Sequence, residues 1–566
     1  MSEEKRQSSN VLAQATILMV AGIITRIIGV LYRSPVTSII GDEGNGYYGI
    51  AVNIYTMILL ISSYSIPMAV SKVVSGKLAL RQYKDAHKVF RCALIYVFVV
   101  GSIASLITFF GASLLIPESQ AKAVPVLRVL APTIFFSGFL GVLRGYFQAH
   151  GTMLPTSLSQ IVEQIANAVV SIGAAILFIR LFAGGDPVRI PVFGAMGSAA
   201  GIGAGVVIGL LFMLLIYAVN RSFFLRRIQR DQSGLESSYR QIFHIIFFMV
   251  TPVILSTFVY NINPVMDQTL FMDIMAFKRV DNTLSAQLYG VFSGKYWVLI
   301  NVPVALANSS STAMIPAVSS FYTLKDYDRC NSQVHQVVQF TMLISIPCAI
   351  GLGVLAYPIM EVLFPQRATI DLAVALLRAG CISVVFYSLS TVTNGVLQGI
   401  GKVNIPLRNA AISLLLHILL LTPLLLLTDL DLYALVFATM FYAFMMCLLN
   451  NISVRKYLHY RQEFKKTFFI PFLSAAVMGL ACYAFYEGLN RIFLGFLSQY
   501  ISYRLLSLLG LGVSIMLGVL VYFAMVLRLR GVSREELRRF PMGGSLVRAA
   551  DKFRLFPKNK VEAGNS

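Results

Sequence analysis

Charge is what this sequence has least of, since only 13% of its 566 residues are charged and acids are the scarcer kind, 25 against 46 lysines and arginines. A soluble domain averages about 25% charged and about 45–50% apolar residues. Here 57% of residues are hydrophobic and the mean hydropathy is +0.74, so a soluble fold of this length could not cover its apolar surface. The six cysteines, Cys92, Cys330, Cys348, Cys381, Cys447 and Cys482, include no CxxC pair. Neither a cysteine metal site nor a disulfide framework is indicated. MSEEKRQSSN lacks the basic start, short apolar core and small-residue cleavage site of a secretory leader, so it reads as a cytoplasmic tail before a retained first span. The longest outer loop, residues 265–286, offers only Asp267, Asp273 and Asp281, without metal-ligand spacing. That poverty argues against an enzyme such as a polyprenyl-phosphate glycosyltransferase, which needs an acidic metal site or an acid–base pair.

What is abundant is uninterrupted apolar sequence. Blocks such as 90–116, 192–219, 334–364 and 503–527 each exceed the ~20 residues that cross a hydrocarbon core. Apolar blocks and basic breaks together give fourteen candidate spans, starting near 11, 46, 88, 123, 158, 192, 242, 286, 334, 372, 406, 430, 468 and 503. The expected fold is an all-α polytopic membrane protein. The formal charge of +21 lies almost entirely between the spans. With the N-terminus inside, the basic loops after spans 2, 6 and 12 and the tail 528–560 all fall on the cytoplasmic side, as the positive-inside rule requires. Such clusters attract anionic headgroups and make nucleic acid an improbable partner.

An internal repeat organises the chain. Arg128, Gly145, Gln148 and Gly151 recur 250 residues later as Arg378, Gly395, Gln398 and Gly401, followed by Pro155 and Pro406 respectively, and Ile66-Pro67 is echoed by Ile315-Pro316. Six spans duplicated to twelve, with two more appended, is a common way to build a transporter around a substrate site. The expected divisions are a tail at 1–10, an N-lobe at 11–220, a basic linker at 221–241, a C-lobe at 242–452, a basic loop at 453–467, spans 13 and 14 at 468–528, and a basic tail at 529–566.

Ionisable groups within spans cost at least ~2.5–3.5 kcal/mol each at the bilayer centre, which makes them functional candidates. Arg26, Arg33, Arg128, Lys295 and Arg378 are the cations, and Glu163 is an acid at similar depth. Cations in this excess suit an anionic head such as a diphosphate, which arginine grips as a planar fork. The alternative for Arg33, Arg128 and Arg378 is snorkelling to an interface. Glu163 is either a coupling-ion site, a partner for one of these cations, or a carboxyl bonded to Gln160 or Gln164. Asn53, Asn167, Asn261, Asn263, Asn301 and Asn308 could line a wet path, although interhelical hydrogen bonds explain most intramembrane asparagines, and Gly197, Gly201, Gly205 and Gly209 form a close-packing helix face. Pro67, Pro132, Pro252, Pro264, Pro303 and Pro316 are candidate hinges.

The strings TRIIGVLYRSP, GDEGNGYYGIAVNIY, SIPMAVSKVVSGKLA and LRGYFQAHGTMLPTSLSQIVEQ in the first half, with SSSTAMIPAVS and VTNGVLQGIGKVNIPLRN in the second, resemble the polysaccharide-transporting flippases of the MOP exporter superfamily. The similarity is to the branch of stage V sporulation protein B and the Gram-positive MurJ-type lipid II flippases. The resemblance implies a V-shaped pair of six-helix bundles around a cationic cavity, with two C-terminal helices forming a groove for an isoprenoid tail. It also implies that Arg26 and Arg33 hold the diphosphate of a lipid-linked sugar. This sequence differs from Gram-negative members in lacking an arginine in GNGYYGIAVNIYTMILL, and Lys295 lies only near the position of their span 8 arginine. The function expected is flipping of an undecaprenyl-diphosphate-linked precursor, lipid II, across a bacterial cytoplasmic membrane by alternating access, with no cofactor beyond a coupling ion. Another lipid-linked polysaccharide unit and a cation-coupled multidrug antiporter are the alternatives. The lipid-linked diphosphate oligosaccharide, membrane lipids and cell-wall synthesis proteins are the candidate partners.

Overall fold

In the computed structural model the structure describes residues 3–64, 66–229, 231, 237–245, 247–248, 258, 261–364, 366–497, 503–539, 543–553 and 555–556. Among these the regular elements are all helices, the form in which a lipid-embedded backbone satisfies its own hydrogen bonds. The chain divides into two compact units, residues 1–294 with 422–429, and residues 295–421 with 430–566.

The first unit is built from α1 (Glu3–Leu59), α2 (Ile66–Ala79), α3 (Tyr83–Phe110), α4 (Val124–Ala149), α5 (Leu154–Phe178), α6 (Ile190–Gln229), α7 (Asn263–Phe277) and α8 (Asn282–Val291). Its interior is closed by Val70, Val89, Cys92, Val97, Val142 and Met213 from α2, α3, α4 and α6. Phe98, Ile103, Leu106 and Phe110 of α3 are exposed on the helix's other side. A helix that is apolar all round and half uncovered is one that faces lipid. α1 is not one crossing. At Gly41 the backbone takes φ 71°, ψ 178°, a conformation open essentially to glycine alone. Arg33 and Tyr48, which a straight helix would hold about 22 Å apart, are brought within 4.4 Å. The chain turns back on itself at this glycine.

The second unit contains α9 (Trp297–Thr323), α10 (Tyr327–Val354), α11 (Ala356–Leu363), α12 (Ile370–Gly380), α13 (Ser383–Gly399), α14 (Asn404–Leu427, whose last residues belong to the first unit), α15 (Leu432–Leu458), α16 (Ile470–Leu497) and α17 (Tyr503–Arg528). Its core gathers Val318, Val338, Met342, Val392, Val396 and Met478. Two short helices, α18 (Arg534–Arg539) and α19 (Gly543–Lys552), place Leu537, Val547 and Ala550 against Leu343 of α10 and Val526 and Leu527 of α17.

Eleven described helices are long and apolar enough to span a membrane, or twelve if the pair Arg367–Gly380 and Ser383–Gly399, bent by 48°, is one span. The count of fourteen is therefore not confirmed among the described residues. Val20–Ser63 counts once although Gly41 breaks it, and both the span expected from residue 242 and Pro252 lie largely or wholly outside the described residues. The outer loop expected at 265–286 is mostly helix, α7 and the start of α8. Asn263 bonds the Asp267 carboxylate at 3.1 Å one turn on, and Asp281 caps α8 by accepting from the Thr283 and Leu284 amides. Two of the three aspartates in that stretch, Asp267 and Asp281, are thus a helix partner and an N-cap.

The repeat is visible in local geometry. Gly151 and Gly401 follow α4 and α13 with φ of 79° and 76°, and each amide donates to the carbonyl of the matching glutamine, Gln148 or Gln398, at 3.0 Å. Left-handed glycine at a helix C-terminus is what stops the helix there.

Candidate functional site

The polar site of the first unit begins with spacing on α1. Arg26 and Arg33 are seven residues apart, two turns on one helix face. Arg26 is exposed, and among the described residues its side chain has no hydrogen bond or ion pair. Arg33 is half-buried, its guanidinium held over the Tyr48 ring at 4.4 Å, and its Nη1 is shut off from solvent without a hydrogen-bond partner among the described residues. A buried donor without an acceptor costs about 1–3 kcal/mol, more for a charged group. Cation–π stacking orients this guanidinium while leaving its edge donors free.

A polar stripe on α5 borders this face. Ser159, Glu163, Asn167 and Ser171 recur every fourth residue and so align along one side of the helix. Asn167 donates to the Tyr32 hydroxyl at 3.4 Å, Ser171 donates to Asn167 Oδ1 at 2.9 Å, and the α carbon of Gly29 presents its free side to Gln164. Opposite the stripe stands the glycine face of α6. A Cβ at Gly201 would collide with Ser171 Oγ, one at Gly205 would come within 2.7 Å of the Glu163 carbonyl oxygen, and one at Gly209 within 3.3 Å of Glu163 Cβ. The glycine spacing therefore seats a polar stripe as well as letting two backbones approach.

Glu163 is an ion-pair residue whose partner is none of the five expected cations. Arg144 of α4 donates from Nη2 to Glu163 Oε2 at 2.7 Å and from Nε to Ser159 Oγ at 2.8 Å. Ser159 in turn donates to the Thr156 carbonyl at 2.7 Å. Arg144 is the residue that sequence reasoning passed over. The available signal was depth, because Arg144 lies five residues before the end of α4 and Ser159 five after the start of α5, with Glu163 on the next turn.

The remaining candidates do not join this group. Arg128 is exposed near the start of α4, without a side-chain partner among the described residues. Lys295 belongs to the second unit, only 1% exposed, in the π-helical turn Phe292–Tyr296 just before α9, and donates from Nζ to Thr369 Oγ1 at 2.7 Å. Arg378 is exposed on α12 of the same unit, and among the described residues its side chain makes no hydrogen bond or ion pair. The second unit answers the Arg144 position with an amide. Asn394 accepts from Asn450 at 2.6 Å, and Asn409 donates to Asn450 at 2.9 Å and to Ser453 at 3.2 Å. The repeat thus keeps a polar contact there and places the charge in the first half alone.

Comparison with known proteins places this arrangement. The chain is similar to the Lipid II flippase MurJ of Bacillus subtilis (strain 168), 25% identical over 549 residues that cover 94% of this chain and 98% of that protein. It is similar also to Stage V sporulation protein B of the same organism, 23% identical over 535 residues, with 94% and 98% covered. Among solved structures, an inward-facing multidrug resistance MATE family transporter of the MOP superfamily matches with a TM-score of 0.64 and 16% identity, covering 79% of this chain and 98% of that one. Lipid II flippase MurJ in an inward closed conformation matches with a TM-score of 0.62 and 16% identity, covering 90% and 98%. These structural likenesses show a shared polytopic fold. The MatE family profile matches residues 296–422. The profile of the polysaccharide biosynthesis protein family matches residues 11–322, and the chain belongs to that family.

Proposed function

We propose that this chain is a flippase, carrying an undecaprenyl-diphosphate-linked cell-wall precursor, lipid II, from the inner to the outer leaflet of a bacterial cytoplasmic membrane by alternating access, with both termini cytoplasmic. The observation that carries the reading is Arg33, a guanidinium oriented by Tyr48 with a buried donor unanswered among the described residues, on the helix face it shares with the exposed Arg26. Diphosphate oxygens supply the missing acceptors, and two arginines about 10 Å apart along the helix span a head of that size better than a single charge. Similarity over nearly the whole length to a lipid II flippase supports the cargo. Between residues 11 and 40 α1 carries Arg26 and Arg33 and no acid, an arrangement that speaks against a cationic drug, which carboxylates would hold. Arg128, of the same unit, remains a proposed contributor to head binding after Arg26 and Arg33, and Arg378 a separate proposed phosphate contact of the second unit, whereas Lys295, 1% exposed and bonded to Thr369, is less suited to the role.

Similarity of equal coverage to Stage V sporulation protein B favours a second reading, another polyprenyl-diphosphate-linked glycan on the same site. Proteoliposomes loaded with fluorescent lipid II distinguish the two. The proposed cargo requires protein-dependent exposure of the label to an external quencher, lost with Arg33→Ala. Exposure of a different lipid-linked glycan but not of lipid II would transfer the assignment to that cargo.

A further inference from the structure

A second polar and apolar feature lies in the first unit, away from the arginine face of α1. Between α3, α4 and α6 is a cavity of about 520 Å³, within the roughly 300–1,000 Å³ of small-molecule sites. Its walls include Phe90, Leu94, Phe139, Leu143, Leu214 and Tyr217. The floor is an aromatic cluster, Phe90 against Tyr146 at 4.3 Å and Phe224 against Tyr146 at 5.1 Å. At one end the lining changes character to His87, Arg91 and Arg221. His87 and Arg91 also line an adjoining cavity of about 410 Å³ bordered by Lys84, Lys88 and Tyr239. The two spaces share these residues, so an apolar crevice runs into a cationic mouth.

Among the described residues the carboxylates at that mouth already have partners. Asp85 is only 1% exposed and engaged by Lys77 at 2.8 Å and by the Ser237 amide and hydroxyl, and Asp231 accepts from the Lys84 amide at 2.6 Å. Lys88 donates to the Ser237 carbonyl at 2.8 Å. Arg91 and Arg221 are exposed, and among the described residues neither makes a hydrogen bond or ion pair. His87 Nδ1 is buried without a hydrogen-bond partner among the described residues. Two free guanidiniums and an unanswered imidazole nitrogen at the rim of an apolar slot are complementary to one kind of molecule, an acyl chain attached to a phosphate.

We infer that this crevice binds an anionic phospholipid of the bilayer, with its phosphate between Arg91 and Arg221 and one acyl chain laid along Phe90, Leu94 and Leu214. The basic mouth places the lipid in the leaflet on the same side as the linker after α6, the cytoplasmic leaflet in the orientation proposed above. Arginine forks favour phosphate, and a basic pocket between spans is where a headgroup's charge and a chain's apolar surface are both satisfied. The site is independent of the cargo assignment, because it shares no residue with the α1 face.

The test is native mass spectrometry of the full-length protein in detergent, titrated separately with phosphatidylglycerol and phosphatidylcholine of matched chains. One phosphatidylglycerol is expected to bind preferentially. The double variant Arg91→Ala/Arg221→Ala is expected to weaken that binding roughly tenfold or more, as for loss of hydrogen bonds to a charged group, with phosphatidylcholine unaffected. Leu214→Trp, which fills the crevice while leaving the arginines in place, is expected to lower phosphatidylglycerol occupancy as well. Far-ultraviolet circular dichroism of both variants confirms that they are folded. Equal binding of the two lipids to the wild type, or unchanged phosphatidylglycerol binding in the double variant, would overturn the inference. Loss of lipid II binding with phosphatidylglycerol binding intact would assign the crevice to the cargo and would overturn it too.

Discussion

Arg144→Gln tests whether α4 and α5 are held together electrostatically. Its guanidinium meets the Glu163 carboxylate at 2.7 Å with the two side chains 15% and 28% exposed. Exposed ion pairs contribute ~0–1 kcal/mol, whereas breaking a fully buried pair costs ~3–5 kcal/mol because the remaining charge is stranded. This pair lies between those limits, at about 2 kcal/mol, and losing the Ser159 bond adds roughly 0.5–1 kcal/mol. Glu163→Gln strands Arg144 in the same way. The double variant strands neither, so its destabilisation should fall short of the sum of the single effects by about 1–2 kcal/mol. Unfolding by SDS in mixed micelles, followed by circular dichroism on the wild type, both single variants and the double, measures this coupling. Additivity within about 0.5 kcal/mol would refute the reasoning and make the contact incidental.

Other outcomes follow from single positions. Gly41→Ala forces a side chain into a backbone region reserved for glycine, at a cost of about 1–3 kcal/mol, and should lower the thermal unfolding midpoint while impairing transport by moving Tyr48 off Arg33. Gly151→Ala and Gly401→Ala occupy equivalent left-handed caps and should each destabilise by about 1–2 kcal/mol; a cost at only one of them would break the equivalence of the halves. Gly201→Val drives a branched side chain into Ser171 of α5 and should cost about 3 kcal/mol or more, seen as loss of folded protein in fluorescence-detected gel filtration. Burial, with positive Arg227 nearby, holds His150 below the usual histidine range despite its hydrogen bond to the Tyr146 carbonyl. Below about pH 6.5 the unfolded chain therefore binds the extra proton first. Stability should fall as pH drops through that value toward the folded pKa, and His150→Gln should flatten that part of the profile.

Much of this architecture is written in the sequence because membranes restrict the solutions. Apolar blocks can only become helices, and a glycine every fourth residue on α6 can only mark close approach. The repeat could be read because left-handed caps at Gly151 and Gly401 demand glycine in both halves. Residues 265–286, expected as a loop, are mostly helix, with Asp267 as a helix partner and Asp281 as a cap. Arg144 was hidden by its position near a helix end, where an arginine ordinarily snorkels. Its pairing with Glu163 needs the register of the α4–α5 hairpin. Tyr48 as the platform for Arg33 depends on the reversal at Gly41, a long-range consequence of one backbone angle that periodicity does not encode. Lys295 is legible as a cation within a span, but its bond to Thr369, 74 residues on, is a long-range contact that periodicity does not encode.

The central claim is most directly tested in a bacterium depleted of its essential lipid II flippase, with surface-exposed lipid II measured as this chain is expressed. Growth and surface lipid II restored by the wild type, and lost with Arg33→Ala at equal membrane abundance, is the result expected. Abundant, correctly inserted wild-type protein that leaves lipid II on the inner leaflet would contradict the assignment.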